Sequence, residues 1–202
     1  MQVAIRRTQS TEYFQTEHVT REAFWNVYKP GCDEHLILNQ LRKSDAYIQE
    51  LDLVAVYEED IIGHIISTKA KVIDSLNHAE EMLCVGPISV LPDFQKKGIG
   101  AQLMDSSISR AKKIGYKGML LFGNPGYYYP FLFRNAIAYN ITTKDYQNFE
   151  AFMGRELQVN GLAEVKGRFF EDNAFSVNQE VLIEFEKQFP FKEKRKPDKQ
   201  LH

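Results

Sequence analysis

The sequence predicts one α/β domain built on a mixed sheet, and three observations support this prediction. Apolar residues alternate along some segments and recur at helical spacing along others, in the order β-α-α-β-β-β-α-β-α-β-β. The 202 residues are enough to bury a single hydrophobic core. Residues 1–191 contain no internal repeat, low-complexity tract or linker, so we expect them to form one domain, followed by a flexible basic tail at 192–202.

The N-terminal quarter predicts a strand followed by two helices. Residues 2–7 alternate weakly and favour a strand. Ser10 is a suitable N-cap for a helix that extends to about residue 28. Pro30 ends this helix, and Asp33 caps a second one that carries its leucines on one face.

The middle of the chain predicts four strands and a long helix. Two β-rich segments, 51–57 and 61–73, flank an acidic turn and indicate a hairpin, and a third β-rich segment covers 81–91. An amphipathic helix over 98–114 follows, with lysines in its last turn and a glycine after it. Residues 118–122 (GMLLF) form a short buried strand. Further strands and loops are expected in three later segments: 140–147, 152–159 and 164–170.

Charge and composition exclude several classes of function. The chain has 25 Lys and Arg against 27 Asp and Glu, a net charge of -2, whereas a dedicated nucleic-acid binder would be strongly basic. The last eleven residues hold five basic and two acidic side chains, which leaves a net charge of -5 on residues 1–191. The tail contains no aromatic residue for stacking on bases, so we expect no nucleic-acid partner.

Compartment and metal content follow from the same composition. No apolar segment approaches the ~18 residues of a membrane span, and the polar N-terminus lacks the apolar region of a signal peptide. The two cysteines, Cys32 and Cys84, have no paired Cys or His spacing, which argues against a disulfide framework and a metal site. We therefore expect a cytoplasmic protein without a membrane or metal partner, as a monomer or homodimer.

The most informative segment is ISVLPDFQKKGIGAQL, residues 88–103, in which a strand leads through a glycine-containing turn into a helix. Glycines at 98 and 100 let a ligand approach the backbone closely, and the first turn of a helix leaves N–H groups free. These groups and the helix dipole favour an anion such as a pyrophosphate. A dinucleotide fingerprint would need a third glycine where Leu103 stands, and the Walker sequence is absent.

The remaining pattern, QKKGIG (95–100) after VLP (90–92), resembles the acetyl-coenzyme A motif of the GNAT superfamily of N-acetyltransferases. Separated segments are similar to one bacterial subgroup of that superfamily: EHLILNQLR (34–42), GPISVLPDFQKKGIGAQLM (86–104), AKKIGYKGMLLFGNPGYY (111–128), FMGREL (152–157) and VKGRFFEDNAF (165–175). The resemblance implies a mixed, mostly antiparallel sheet of about seven strands, with helices on both faces and a cleft where the fourth and fifth strands splay apart.

The resemblance also implies where acetyl-coenzyme A binds as co-substrate. A bulge at Gly86-Pro87 would start the splay, because Pro87 has no N–H to donate. Main-chain groups of Ile88 and Val90 would pair with the pantetheine arm, and the loop would cradle the pyrophosphate. The implied cofactor-binding residues are Ile88, Ser89, Val90, Gln95, Lys96, Lys97, Gly98, Ile99, Gly100, Ala101, Asn124 and Tyr127.

The candidate catalytic residue is Tyr128, which matches the family tyrosine that protonates the leaving thiolate. A phenol with a pKa of about 10 keeps its proton at neutral pH and is a suitable acid for a thiolate. Packing is the alternative role for the tyrosines here. Leu132 replaces the family's glycine, and Pro130 falls within the expected helix, so either the helix is shorter or Tyr128 is rotated.

The general base and the acceptor are less well defined by the sequence. Glu80, Glu81 and His64 are candidate bases, although the residues favour an ordinary role for each, as a solvated hairpin carboxylate or a strand side chain. An amine acceptor, small molecule or peptide, suits the acidic body. Candidates for its pocket are Phe24, Trp25, Tyr28, Asp33 and Glu34.

The sequence therefore predicts an N-acetyltransferase that transfers an acetyl group from acetyl-coenzyme A to a primary amine by direct attack in a ternary complex. The alternative is a non-catalytic module of the same fold that binds coenzyme A. A nucleic-acid adaptor that uses the basic tail is a third, weaker hypothesis.

Overall fold

In the computed structural model, which describes residues 1–197, nine strands form one mixed sheet. The strands are β1 (Ala4–Arg7), β2 (Asp52–Tyr57), β3 (Asp60–Ile73), β4 (Ala79–Val90), β5 (Gly118–Phe122), β6 (Arg134–Asn135), β7 (Ile141–Thr143), β8 (Phe152–Glu156) and β9 (Gly167–Phe170). The α-helices are α1 (Tyr13–Phe24), α2 (Glu34–Leu41), α3 (Ile99–Lys113), α4 (Pro125–Tyr128) and α5 (Gln179–Glu186).

The main path of the sheet runs β1-β2-β3-β4-β5-β8-β6, and β9 pairs with both β3 and β7. The pairs β4–β5 and β7–β9 are parallel, and the other pairs are antiparallel. The predicted α/β class with a mixed, mostly antiparallel sheet is confirmed. There are nine strands rather than about seven, because the late segments form several strands of two to five residues.

Helices cover both faces of the sheet. Leu83 on β4 and Met119 on β5 face α3 and pack in one buried cluster with Leu103. The opposite face carries α1 and α2, where Val54 packs with Val19 and Ile66 packs with Leu38 and Leu41, in two separate clusters. One face of the sheet is therefore covered by α3, and the opposite face by α1 and α2.

The hairpin between β2 and β3 is confirmed, and it closes through an unusual turn. Tyr57 pairs with Asp60, so Glu58 and Glu59 form a two-residue loop. Their φ values are +48° and +73°. A type I′ turn requires positive φ at both positions and favours Asn-Gly there, so this loop holds two glutamates in the left-handed region.

The C-terminal segment contains a helix that the sequence interpretation missed. The side chain of Asn178 accepts hydrogen bonds from the main chain of Glu180 and Val181 and caps α5. An asparagine followed by an acidic first turn was the available signal. On α1, Arg21 is almost fully buried and donates from Nε to Glu186 of α5 over 2.7 Å.

The predicted tail begins within a segment that contacts α1. The Glu193 carbonyl accepts hydrogen bonds from Trp25 Nε1 at 3.0 Å and from the Asn26 side chain at 3.1 Å. Lys192 forms an ion pair with Glu22. The boundary predicted at 192 therefore lies in an exposed segment that is hydrogen-bonded to the end of α1, and residues 198–202 lie outside the described part of the chain. No helix within 1–197 is long and apolar enough to cross a membrane.

Candidate active site

Strands β4 and β5 separate soon after they meet. They pair at Leu83–Met119 and Cys84–Leu120, although β4 continues to Val90. On the other edge of β4 the register with β3 shifts between Val85 and Ile88, so that Gly86 and Pro87 lie opposite a single residue. This is the predicted bulge, and it bends β4 away from its parallel neighbour.

A cleft of about 1490 Å³ opens between the separated strands. Most of the predicted site residues line it: Ile88, Ser89, Val90, Gln95, Lys96, Gly98, Ile99, Gly100, Ala101, Asn124, Tyr127 and Tyr128. Lys97 does not, because its ammonium group donates to the Asp93 carbonyl at 2.8 Å and lies over the Phe94 ring. The Lys97 charge thus stays beside the loop rather than in the cleft.

The glycine-containing loop leads directly into α3. Gly98 is the N-cap residue, with φ +79° and no heavy atom within 4 Å of the position of a Cβ. Gln95 fixes the loop to the end of β4 by donating from Nε2 to the Val90 carbonyl at 3.0 Å. The first N–H groups of a 15-residue helix therefore open into the cleft, which favours an anion there.

The second motif glycine is required by a neighbour rather than by its own backbone. A Cβ on Gly100 would lie 2.5 Å from the Tyr127 hydroxyl oxygen. The Tyr127 ring is held against Tyr128 and Phe131, with ring centroids 4.9 and 5.8 Å apart. Tyr127 therefore lies across the first turn of α3 and joins the two motifs of the cleft.

Tyr128 ends a helix of four residues, which Asn124 caps by accepting a hydrogen bond from the Gly126 amide at 2.9 Å. Pro130 lies in a separate 3₁₀ turn, Tyr129–Phe131, so the helix is shorter than expected and ends at Tyr128. Leu132 ends that turn with φ +62° and adopts the left-handed conformation that glycine adopts at no steric cost.

The Tyr128 side chain is 8 % exposed, and it packs edge-on against Phe133. Burial raises the pKa of its phenol above the usual value, with smaller contributions from Tyr127 and Tyr28. Within residues 1–197 its hydroxyl makes no hydrogen bond, although the residue lines the cleft. Tyr128 thus presents a protonated, unpartnered hydroxyl to the space between the strands.

The three candidate bases named from the sequence do not line the cleft. His64 is fully buried, with Nε2 2.7 Å from Asp52 Oδ1, and burial lowers its pKa. Glu80 forms an exposed ion pair with Lys117. Glu81 lies beside Tyr116, whose pKa is raised by burial and, to a smaller extent, by Glu81. His64, on β3, is part of the buried fold, and Glu80 and Glu81 lie at the start of β4, at the opposite end from the splayed residues.

The part of the cleft that faces away from α3 carries carboxylates instead. Glu34, Glu150 and Glu171 line it, and burial raises the pKa of Glu34 and of Glu171. Glu34 was a predicted pocket residue; the other two were missed, since 50 or more residues separate them from the glycine motif. The aromatic residues that line the cleft are Phe24, Tyr28, Phe94, Phe122, Tyr127, Tyr128, Tyr129, Phe149 and Phe175.

Two other candidates for the acceptor pocket lie elsewhere. Trp25 is buried against Arg21, and Asp33 forms an ion pair with Lys29. Cys84 lines the cleft, but burial and the nearby Glu171 raise the pKa of its thiol, so it is not an activated nucleophile. Within 1–197 no group of three or more His, Cys, Asp or Glu side chains is arranged to hold a metal ion.

Comparison with known proteins decides the family. The acetyltransferase (GNAT) family model matches residues 9–126, more than half of the chain. The chain belongs to this GNAT family. An uncharacterised N-acetyltransferase of Escherichia coli, YjhQ, is 30 % identical over 78 residues, and the match spans 39 % of this chain and 42 % of YjhQ. The chain thus matches less than half the length of this curated relative.

Solved GNAT structures share the fold. The Escherichia coli GNAT family N-acetyltransferase YhbS, solved in complex with coenzyme A, superposes with a TM-score of 0.76 at 19 % identity, over 87 % of this chain and 92 % of YhbS. A Brucella melitensis GNAT family acetyltransferase, solved with acetyl-coenzyme A, gives a TM-score of 0.71 at 24 % identity, over 87 % and 99 % of the two chains. At this identity the likeness establishes the GNAT fold.

Proposed function

We propose that this GNAT protein transfers an acetyl group from acetyl-coenzyme A to a primary amine, small molecule or peptide, by direct attack in a ternary complex. One observation carries the proposal: a splayed strand, a helix N-terminus with open space at Gly98 and a largely buried tyrosine, Tyr128, meet in a single cleft. The splayed strand would bind the pantetheine arm of the donor, the helix N-terminus would bind its pyrophosphate, and the tyrosine would donate a proton.

The residues present suit coenzyme A. The β4 backbone at Ile88 and Val90 has no β5 partner, so the main-chain groups of Ile88 and the N–H of Val90 are available to the amides of a pantetheine arm, whereas the Val90 carbonyl already accepts from Gln95. The N–H groups from Lys96 to Ala101 surround an open space at Gly98, and Lys96 adds positive charge there. The bound thioester supplies the activated acyl group.

Tyr128 is the proposed general acid. Its raised pKa keeps the phenol protonated at neutral pH, so it has a proton to donate to a leaving thiolate. A main-chain N–H near Val90 would stabilise the oxyanion that develops on the acyl oxygen, since oriented donors in a partly dry cleft act without reorganisation. The neutral amine forms its bond to the acyl carbon as the carbon–sulfur bond breaks, and the thiolate takes the Tyr128 proton. The proton that the nitrogen loses passes to water, from which the Tyr128 phenolate regains a proton.

The proposal is tested by mixing the protein with acetyl-coenzyme A and each of a panel of amines, and measuring the release of the coenzyme A thiol. Tyr128→Phe should lower kcat by roughly 10²–10³-fold, within the usual range for a lost general acid, and should leave the thermal shift by acetyl-coenzyme A unchanged. The matched control is Tyr146→Phe, because Tyr146 is 72 % exposed and does not line the cleft.

A non-catalytic coenzyme A module gives a different result. Acetyl-coenzyme A would still raise the melting temperature, but no amine would cause thiol release in any variant. Loss of the thermal shift at millimolar ligand would reject both functions. The position of Tyr128 favours the enzyme, since this residue lines the cleft although Leu132 replaces the family glycine.

A further inference from the structure

The cleft wall opposite α3 is unusually aromatic for a surface that faces water. Phe122 and Phe149 are 42 % and 46 % exposed, and both line the cleft. Phe122 is stacked between Phe149 and Phe152, with ring centroids 5.9 and 4.9 Å apart. The stack holds two exposed rings in place, and a fixed aromatic wall is suited to an apolar body.

Glu171 stands at the end of this wall. It follows Phe170 of β9, two residues after Phe169, which packs in the buried cluster with Phe152. Within residues 1–197 its carboxylate makes no direct hydrogen bond or ion pair, although the side chain is partly buried, and Lys144 acts on its pKa only from a greater distance. A desolvated carboxylate without a partner is costly, and a bound cation would relieve that cost.

The charges along the cleft are divided between its two sides. Lys96, next to the α3 N-terminus, is the one basic residue that lines the cleft within 1–197. Glu34, Glu150 and Glu171 lie on the other side. Tyr128 lines the same cleft and packs in the buried cluster on the α3 side. The basic side therefore favours the pyrophosphate of coenzyme A. The acidic side favours a cationic acceptor and would repel an acidic one.

We propose that the acceptor is a primary amine on an aromatic or similarly apolar body, with its ammonium group bound by Glu171 and its body against Phe122 and Phe149. This inference rests on the proposed function, because it describes the acceptor of the same reaction. Glu171 is thus a specificity residue, which selects a cation, while the rings select against small aliphatic amines.

The test measures, by calorimetry, the binding of three probes to the protein saturated with coenzyme A. Coenzyme A carries no acyl group, so no turnover occurs during the titration. The probes are 2-phenylethylamine, ethylamine and 3-phenylpropanoate. We expect 2-phenylethylamine to bind at least tenfold more tightly than ethylamine, since the rings bury its phenyl group. We expect 3-phenylpropanoate, which has the ring without the cation, not to bind.

Two variants separate the parts of the proposal. Glu171→Gln should weaken 2-phenylethylamine about tenfold, whereas Glu80→Gln, which removes a carboxylate far from the cleft, should not change it. Phe149→Ala should weaken 2-phenylethylamine and leave ethylamine unchanged. Because Phe149 is half exposed, this variant should fold even if Glu171→Gln does not.

Equal affinities for the two amines, binding of the carboxylate, or equal effects of the two glutamate variants would overturn the inference. Failure of coenzyme A itself to bind would instead reject the proposed function. That outcome is seen in a separate titration before any amine is added, so the two failures are distinguishable.

Discussion

The contact between Gly100 and Tyr127 makes a sharp prediction about stability. Alanine has the higher helix propensity, by about 0.5–1 kcal/mol, and Gly100 is the second residue of α3. In this structure, however, an added Cβ would lie 2.5 Å from the Tyr127 hydroxyl. Overpacking of this kind costs about 1–3 kcal/mol. Gly100→Ala should therefore lower the free energy of unfolding by about 1 kcal/mol.

Removal of the hydroxyl should reverse the sign. In Tyr127→Phe the next atom of the ring, Cζ, is 3.6 Å from the added Cβ, an ordinary contact. Gly100→Ala should then raise the free energy of unfolding by about 0.5 kcal/mol, which gives a coupling of about 1.5 kcal/mol in the double-mutant cycle. Urea denaturation of the ligand-free protein, followed by circular dichroism, measures all four corners.

Gly98→Ala is the matched control, because the space at Gly98 is open and the cost is set by its φ of +79°. It should cost about 1 kcal/mol in either background. If Gly100→Ala has the same effect with and without the Tyr127 hydroxyl, the steric explanation of this glycine is wrong.

Three further predictions concern backbone strain and pH. Replacing Glu58-Glu59 with Asn-Gly should raise the free energy of unfolding by about 1–2 kcal/mol in urea denaturation, since both positions have positive φ; no gain would refute the turn assignment. Leu132→Gly should add about 0.5–1 kcal/mol in the same assay, because φ is +62° and the side chain is 68 % exposed; a loss would show that leucine packing outweighs strain. Burial lowers the pKa of His35 to about 4. Between pH 6.5 and 4 the unfolded chain therefore binds a proton at this residue, whereas the folded chain does not. The contribution of His35 to stability should then fall by up to about 1.4 kcal/mol per pH unit between pH 6.5 and 4. His35→Gln should remove that contribution and reduce the slope, whereas the contribution of His64, whose pKa burial also lowers, should remain.

The sequence predicted the fold where apolar periodicity and turn residues agree. GMLLF forms β5 over the predicted residues 118–122, and Gly98 ends the loop before α3 as expected. Later strands were harder to predict, since β6 and β7 have two and three residues and depend on pairing with distant partners. Patterns that short carry no periodicity of their own.

The donor side of the cleft was more predictable than the acceptor side. The residues of the glycine loop follow one another in the sequence, so a single motif was enough to predict them together. Glu171 and Phe149 join the cleft through β9 and the segment before β8, and no local pattern links them to β4. The reason for Gly100 was also hidden, because Tyr127 meets it across the cleft rather than along the chain.

The bond from Arg21 to Glu186 has a consequence for biosynthesis. It joins residues 165 positions apart, and Trp25 is tied to Glu193 across 168 positions. During translation α1 emerges early, but Arg21 has only the neighbouring Glu22 carboxylate until α5 has been made. Domains generally fold as units as they leave the ribosome, so α1 can complete its packing only after α5 has left the ribosome, and a chain shortened before α5 leaves Arg21 without its Glu186 partner.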